Sequence, residues 1–546
     1  HPRSLVSHFL QGVRDTTLSA YAHQAYPFDK LADEMNGDRD LSRNALFDVL
    51  VNHQFMESIN DGFLKGRQLK ISETAKLDLE FAFYESSNSL KGEVIYNTDL
   101  FNHDTAVLFS AQLIALLDAL ITAPVDKTVK DVVSLISIPD QELLLKGRGN
   151  EKNYPVHAGY TNLFFKQAAE FKNNTALRDS KNILSYARLA ERSLAISHRL
   201  QQENVSPNPV IAVCLPRCCE LTAIAIGIWH AGGIYMPLDA SLPADRMAYM
   251  LEDSGAAFII TNEPMPGIAL KQLNAQEFFA SREINSTNET VADNIYNGSY
   301  LLYTSGSTGK PKGVLVSAAG MLNHMHSKCD DLQLNEESII AQTASVSFDT
   351  SIWQIFAGLL AGACVRIYSK DEVLNMKQHL KQLQEDGITV AQMVPSYMRE
   401  FIVEAEGIKG SQLPSLQYLL SIGEELDSSL AARCIHNFSA KLVNSYGPTE
   451  AADNISMHFI NENEIGEKIP IGKALHNTQL YVVDELGHLC QPGIIGEICA
   501  SGIGVAQGYI GNAKERSAEV FMEDPFTKGR WMYRTGDLGK WDAKQD

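Results

Sequence analysis

The sequence has 546 residues, of which 45% are hydrophobic and 21% charged. These values exclude a disordered or collagen-like chain and allow roughly three to four folding units at ~150 residues each. Lys and Arg number 46 against 66 Asp and Glu, a net charge of −20, which argues against nucleic acid as a main partner and leaves room for a local basic nucleotide site.

The cysteines are Cys214, Cys218, Cys219, Cys329, Cys364, Cys434, Cys490 and Cys499. They form no CxxC pair, so they read as reduced, mostly buried thiols of a cytoplasmic protein rather than as a zinc framework. The start, His1-Pro2-Arg3-Ser4, lacks a signal-peptide apolar region. The most apolar stretch, Leu221 to Leu238, contains Trp229, His230, Gly232 and Gly233. It is shorter than the ~20 apolar residues of a membrane span and reads as a buried helix running into a strand. No membrane is expected as a partner.

Along the chain, Leu77, Leu79, Phe81 and Phe83 alternate with polar residues, a half-buried strand. The turn Ser86-Ser87-Asn88-Ser89 leads into a returning strand, Leu90 to Tyr96. Asn102 or Asp104 caps a helix through Leu113, Leu116, Leu117 and Leu120, which Ala123-Pro124 ends. Residues 122–150 read as a connector. From 151 onward, short apolar strands alternate with helices: Val210 to Leu215, Gly233 to Leu238, Ala256 to Thr261, Ser299 to Thr304, Val390 to Met393 and Leu416 to Ile422. That alternation predicts an α/β fold with mainly parallel sheets.

The sharpest local signal runs from Leu301 to Gly313. An apolar strand enters Thr304-Ser305-Gly306-Ser307-Thr308-Gly309, followed by Lys310-Pro311-Lys312. Glycines let backbone N–H groups face one concavity, hydroxyls add donors and lysines add charge, as a polyphosphate requires. It is not a P-loop. Only Ser307 and Thr308 separate Gly306 from Gly309, and Pro311 stands where Ser or Thr is needed.

At this loop the chain resembles the adenylate-forming enzymes, and specifically the adenylation domains of nonribosomal peptide synthetases. Leu184-Ser185-Tyr186 resembles the first core motif of that family, and Ala231 to Asp239 the second. The loop itself resembles the third, Phe348-Asp349-Thr350-Ser351 the fourth, and Asn444-Ser445-Tyr446-Gly447-Pro448-Thr449-Glu450 the fifth. Gly496-Glu497-Ile498 through Gly508-Tyr509 resembles the sixth, and Tyr533 to Leu538 the seventh. Upstream, Tyr21 to Phe28 and Arg39 to Phe47 resemble the last two motifs of a condensation domain. Its catalytic His pair has no counterpart here, so His23 reads as a packing residue. The resemblance implies a partial condensation lobe over 1–121, a linker over 122–150, and the large core of an adenylation domain over 151–546. The family's small C-terminal subdomain, with its late lysine, and a carrier domain would follow.

The resemblance further implies that ATP and an amino acid react to give an aminoacyl-adenylate and pyrophosphate. The acyl group later passes to a phosphopantetheine thiol on a carrier domain. Thr304 to Gly309, Lys310 and Lys312 would hold the phosphates, Glu450 would help hold Mg²⁺, and Asp537 would bind the ribose. Asn444, Tyr446, Gly447 and Thr449 would line the nucleotide site. Asp349 would pair with the substrate α-ammonium, a charge that acyl- or aryl-acid ligases of the same superfamily do not have to neutralise. The alternatives are a helix N-cap for Asp349, and a solvated carboxylate for Glu450 and a turn residue for Asp537, which the residues alone would favour and the motif context reverses. The substrate pocket would comprise Asp349, Thr350, Trp353, Gln392, Leu420, Ile422, Ser445, Asp453 and Asn454. Its polar members, and the charge of Asp453 above all, point to a polar, basic amino acid such as arginine, lysine or ornithine, with glutamine second. A ligase of the aryl- or fatty-acid type and a non-enzymatic interface module are the competing readings.

Overall fold

A computed structural model describes residues 4–35, 46–55, 75–87, 89–101, 103–124, 126–133, 144–203, 207–280, 298–305, 310–407, 413–464 and 468–542. The chain forms two compact units. One comprises residues 1–143 with 487–494 and 540–545, and the other 144–486 with 495–539.

In the first unit the anticipated hairpin is present. Strand Leu79–Ser86 pairs antiparallel with Ser89–Tyr96, and parallel on its other edge with Val49–Phe55. Leu79 and Ala82 are buried, while Phe81 and Phe83 are half-buried. The helix His103–Thr122 follows. Its segment Thr105–Thr122 has a mean hydropathy of 1.8 over 18 residues, enough by length and composition to cross a membrane, whereas the apolar helix Cys219–His230 is shorter. His23 does not pack as expected. It is exposed at the end of the Val6–Ala22 helix, where its N–H bonds the Ala20 carbonyl. Of the condensation-like motifs, Arg39 to Ala45 lie outside the described residues.

The second unit holds a six-stranded, a nine-stranded and a four-stranded sheet among its described residues. Val210–Cys214 pairs in parallel with Ile234–Leu238 and with Phe258–Thr261. These runs are continuously apolar because helices cover both faces of a parallel sheet. The Cys219–His230 helix between the first two is buried along nearly all its length. The stretch 221–238 is therefore a buried helix running through a turn into a strand, as expected from its length. In the nine-stranded sheet Val390–Met393, Tyr418–Ser421 and Lys441–Tyr446 are adjacent and parallel. Their carboxyl ends lie side by side, the edge at which open α/β sheets bind ligands.

The parallel pattern stops at the four-stranded sheet. Thr478–Val483, Gly496–Gly502, Trp531–Gly539 and Phe521–Glu523 pair entirely antiparallel. A parallel return needs a crossover of a dozen or more residues, usually a helix, and 484–495 holds none. The seventh motif and the Gly496–Gly502 part of the sixth lie on this sheet, while Tyr509 bridges to Val314.

Candidate active site

The glycine-serine-threonine loop connects a hairpin. Strand Tyr300–Thr304 pairs antiparallel with Lys312–Val316, with Thr304 opposite Lys312. Gly306, Ser307, Thr308 and Gly309 lie outside the described residues, and Ser305 is exposed. Thr304 Oγ1 is shielded from solvent and has no hydrogen-bond partner among the described residues, a donor left available for a ligand. Lys310 Nζ stands 5.8 Å from the Tyr249 ring centre. Lys312 turns the other way. Its Nζ donates to the Tyr509 hydroxyl at 3.0 Å and lies 3.8 Å from Glu450 Oε1, and that hydroxyl donates to the same carboxylate oxygen at 2.8 Å.

Glu450 sits in the short turn Thr449–Ala451 and is only 6% exposed, so it is not a solvated surface carboxylate. Tyr509 belongs to a motif the sequence displayed, but its contact with Glu450 spans 59 positions and left no local signal. Among the described residues, no group of three or more His, Cys, Asp or Glu could hold a metal ion. A lone buried carboxylate suits Mg²⁺ that arrives on nucleotide phosphates, since that ion commonly takes one or two protein carboxylates and keeps phosphate and water ligands.

The Lys441–Tyr446 and Trp531–Gly539 strands bring two predicted nucleotide residues together. Tyr446 donates its hydroxyl to Asp537 Oδ2 at 2.6 Å, and the Asp537 N–H bonds Thr535 Oγ1 at 3.0 Å. Asp537 is exposed and lies within its strand, although Gly536 beside it has φ +79°. Burial, and then the bond to Asp537, raise the Tyr446 hydroxyl pKa. Asn444 donates its Nδ2 to the Pro470 carbonyl at 2.8 Å, so that nitrogen serves the fold. Gly447 has a steric reason: a Cβ there would lie 1.9 Å from the Asp453 carbonyl oxygen.

Asp349 is the N-cap of the Thr350–Leu360 helix, accepting from the Thr350 N–H at 2.8 Å, and it also accepts from Thr449 Oγ1 at 2.5 Å. The capping reading therefore holds, and the same carboxylate is bonded to the turn that carries Glu450. Burial raises the Asp349 pKa, and the bonds from Thr449 and Thr350 oppose the shift. Asp453 faces inward rather than toward solvent. It is 1% exposed, accepts from Thr350 Oγ1 at 3.2 Å, and has His324 Nε2 3.4 Å from its Oδ2. It holds φ +83° and Ala452 before it φ +63°. Such backbone costs ~1–3 kcal/mol per residue and tends to concentrate at functional sites.

Trp353 donates Nε1–H to Gln392 Oε1 at 2.6 Å. Leu420 and Ile422 are buried beside the strand ends. Among the described residues Gln392 Nε2 and Ser445 Oγ are buried without hydrogen-bond partners, and Asn454 lies against His324. The structure adds His324 and Lys328, which sequence reasoning missed. They sit one turn apart on the Ala318–Asp331 helix, and both are buried. The available signal was their i,i+4 spacing on one helix face.

This fold, with the adenylate-type motifs distributed over its three sheets, defines an adenylate-forming enzyme core. The chain belongs to the AMP-binding enzyme family, whose model matches residues 164–510, and the condensation-domain model matches residues 2–144. Tyrocidine synthase 2 of Brevibacillus parabrevis is 31% identical over 98% of this chain, and bacitracin synthase 3 of Bacillus licheniformis is 30% identical over 99%. The chain spans 15% and 8% of those two proteins. A crystal structure of a four-domain nonribosomal peptide synthetase bound to AMP and glycine matches with a TM-score of 0.84 at 26% identity, covering 99% of this chain and 41% of that one.

Proposed function

We propose that this chain selects a polar amino acid and activates it with ATP, as the adenylating part of a nonribosomal peptide synthetase. A carboxylate oxygen of the amino acid attacks the α-phosphorus, the bond to the bridging oxygen of the β-phosphate breaks, and pyrophosphate leaves. Two anions must meet, so charge screening and orientation dominate the chemistry. In this reading Thr304, Lys310 and Lys312 hold phosphate, Asp537 with Tyr446 binds the ribose, and Asp349 pairs with the α-ammonium. Mg²⁺, carried on the nucleotide and met by Glu450, would neutralise phosphate charge.

The observation that carries this reading is Asp349. It is a buried carboxylate at the head of a helix, beside the fifth motif, and it gains from an arriving ammonium. An aryl- or fatty-acid substrate would leave it uncompensated. We place the condensation-type lobe at 1–121, the linker at 122–150 and the adenylation core at 151–546. The partners are the remaining synthetase domains, including a carrier whose phosphopantetheine thiol takes the acyl group. The setting is the cytoplasm, where the eight free cysteines stay reduced. Amino-acid-dependent ATP–pyrophosphate exchange tests the reading. Exchange driven by benzoate or fatty acids, and by no amino acid, would overturn it.

A further inference from the structure

The Ala318–Asp331 helix packs against the Thr350–Leu360 helix and brings a cation to the proposed pocket. Lys328 is 0% exposed, its Nζ makes no hydrogen bond, and that nitrogen stands 4.9 Å from the Trp353 ring centre. Trp353 in turn holds Gln392, and Asp453, whose charge acts on Lys328, is held by Thr350. These residues form one connected patch in which, among the described residues, Lys328 Nζ and Gln392 Nε2 are buried without hydrogen-bond partners, and Asp453 Oδ2 has no closer donor than His324 Nε2 at 3.4 Å. Buried polar atoms are normally satisfied, so this concentration of exceptions marks the place of a ligand group.

We infer that Lys328 is a specificity-determining residue, and that with Asp453 it fits the pocket to a neutral carboxamide side chain, of the glutamine or asparagine type, while rejecting cationic side chains. The inference rests on the amino-acid-activating reading above. Its basis is charge balance. Sharing one proton, Lys328 and Asp453 form a neutral pair, and Asp331, whose charge also acts on Lys328, faces His476 Nε2 at 3.6 Å. His324, next to them, is neutral as well, because burial and then the Lys328 charge push its pKa well below the usual range. Asp349 remains, and the substrate α-ammonium matches it. A second ammonium or a guanidinium would sit beside Lys328 with no anion of its own. A side-chain carboxylate would be equally unmatched in the opposite sense.

Hydrogen-bond direction narrows the class further. The Trp353 N–H occupies Gln392 Oε1 and so leaves Gln392 Nε2 as a donor. Lys328 Nζ is a second donor, while Asp453 Oδ2 is an acceptor. A carboxamide carries the complementary pair, one carbonyl and one NH₂, in a single planar group. An apolar side chain would leave all three atoms unmet, and sites built to hydrogen-bond a substrate strongly reject such analogues.

The test is calorimetric binding of non-hydrolysable aminoacyl-sulfamoyl-adenosines to the 546-residue chain. The panel carries glutamine, asparagine, ornithine, glutamate and leucine, with sulfamoyl-adenosine as the reference. One of the carboxamide probes should bind at least about tenfold more tightly than the ornithine, glutamate and leucine probes. In Lys328→Met, a substitution of similar volume, that lead should disappear and the ornithine probe should gain at least about tenfold over its affinity for the parent chain. Tightest parent binding of the ornithine, glutamate or leucine probe would overturn the inference and leave the activation reading standing. An unchanged order in Lys328→Met would do the same. If no aminoacyl probe binds better than sulfamoyl-adenosine, the amino-acid reading itself fails. The parent panel decides the matter even if the variant does not fold.

Discussion

Thr449 Oγ1 donates to Asp349 Oδ2 across 2.5 Å, joining residues 100 positions apart in the chain. The bond ties the head of the Thr350–Leu360 helix to the turn that carries Glu450. It aims a carboxylate between two elements that each bring other site residues. Asp349→Asn keeps the shape and an acceptable N-cap but removes the charge. Amino-acid affinity should fall by roughly 1.5–3 kcal/mol, the value of a hydrogen bond to a charged group. ATP affinity should not change. Calorimetric titration of each ligand checks this, and equal losses for both would reduce Asp349 to a structural cap.

The ribose assignment predicts a graded pair of variants. Asp537→Ala removes the charged acceptor and should weaken ATP binding by roughly 1.5–3 kcal/mol. Tyr446→Phe removes one neutral donor that orients it, and should cost roughly 0.5–1.5 kcal/mol. An Asp537→Ala chain that binds ATP as tightly as its parent would reject the assignment.

Among the described residues Thr304 Oγ1 is buried without a hydrogen-bond partner, at the entrance to the glycine-serine-threonine loop. Thr304→Val preserves the β-branched shape that suits a strand end. It should slow the chemical step more than it lowers nucleotide affinity, because the hydroxyl counts most where charge develops. Exchange rates measured at saturating ATP, beside a binding isotherm, separate the two effects.

Gly447→Ala tests the approach of the 453–455 backbone. The new methyl would meet the Asp453 carbonyl oxygen at 1.9 Å, with the Asn454 Cα and Ile455 N both at 2.6 Å. Those atoms belong to backbone and cannot rotate aside. Destabilisation should reach or exceed the ~1–3 kcal/mol of ordinary overpacking, with amino-acid affinity lost alongside. A thermal melt indistinguishable from that of the parent chain would contradict the geometry.

Asp427 offers a pH test that is independent of activity. It caps the Ser428–Asn437 helix through the Leu430 N–H at 2.9 Å, accepts from Ser429 Oγ, and pairs with Arg399. The Ser429 hydroxyl first, and then the Leu430 N–H, draw its pKa down to about 2. The unfolded value is ~3.9. A depressed carboxyl adds stability that is fully present above the unfolded value and is lost as pH falls through the folded one. Asp427→Ala should therefore cost ~0.5–2 kcal/mol near neutral pH. The low end is expected, because water screens this partly exposed group. The difference should shrink steadily as pH drops below ~4. Hydrogen exchange of the helix amides reads it directly.

What the sequence determined by itself was local. Continuous apolar runs such as Val210–Cys214 and Tyr418–Ser421, broken by glycines and helical spacing, identify buried parallel strands, because both their faces are covered by helices. The expectation that Thr304 to Lys312 holds phosphate rests on residue type alone, since glycine, hydroxyl and lysine have few other common uses at such density after a strand. Contacts between distant segments were the part that only the tertiary structure decided. Tyr509 on Glu450 and Asn444 on Pro470 leave no periodic trace. The antiparallel sheet of the last motifs depends on connections, not on strand composition. Lys328 shows the limit most clearly. A lysine four residues after a histidine usually marks a solvated helix face, and only the packing of that helix against Thr350–Leu360 turns it inward to Trp353 and Asp453. Local sequence sets which groups are present, whereas the charge balance of a buried pocket is a sum over elements that only folding brings together.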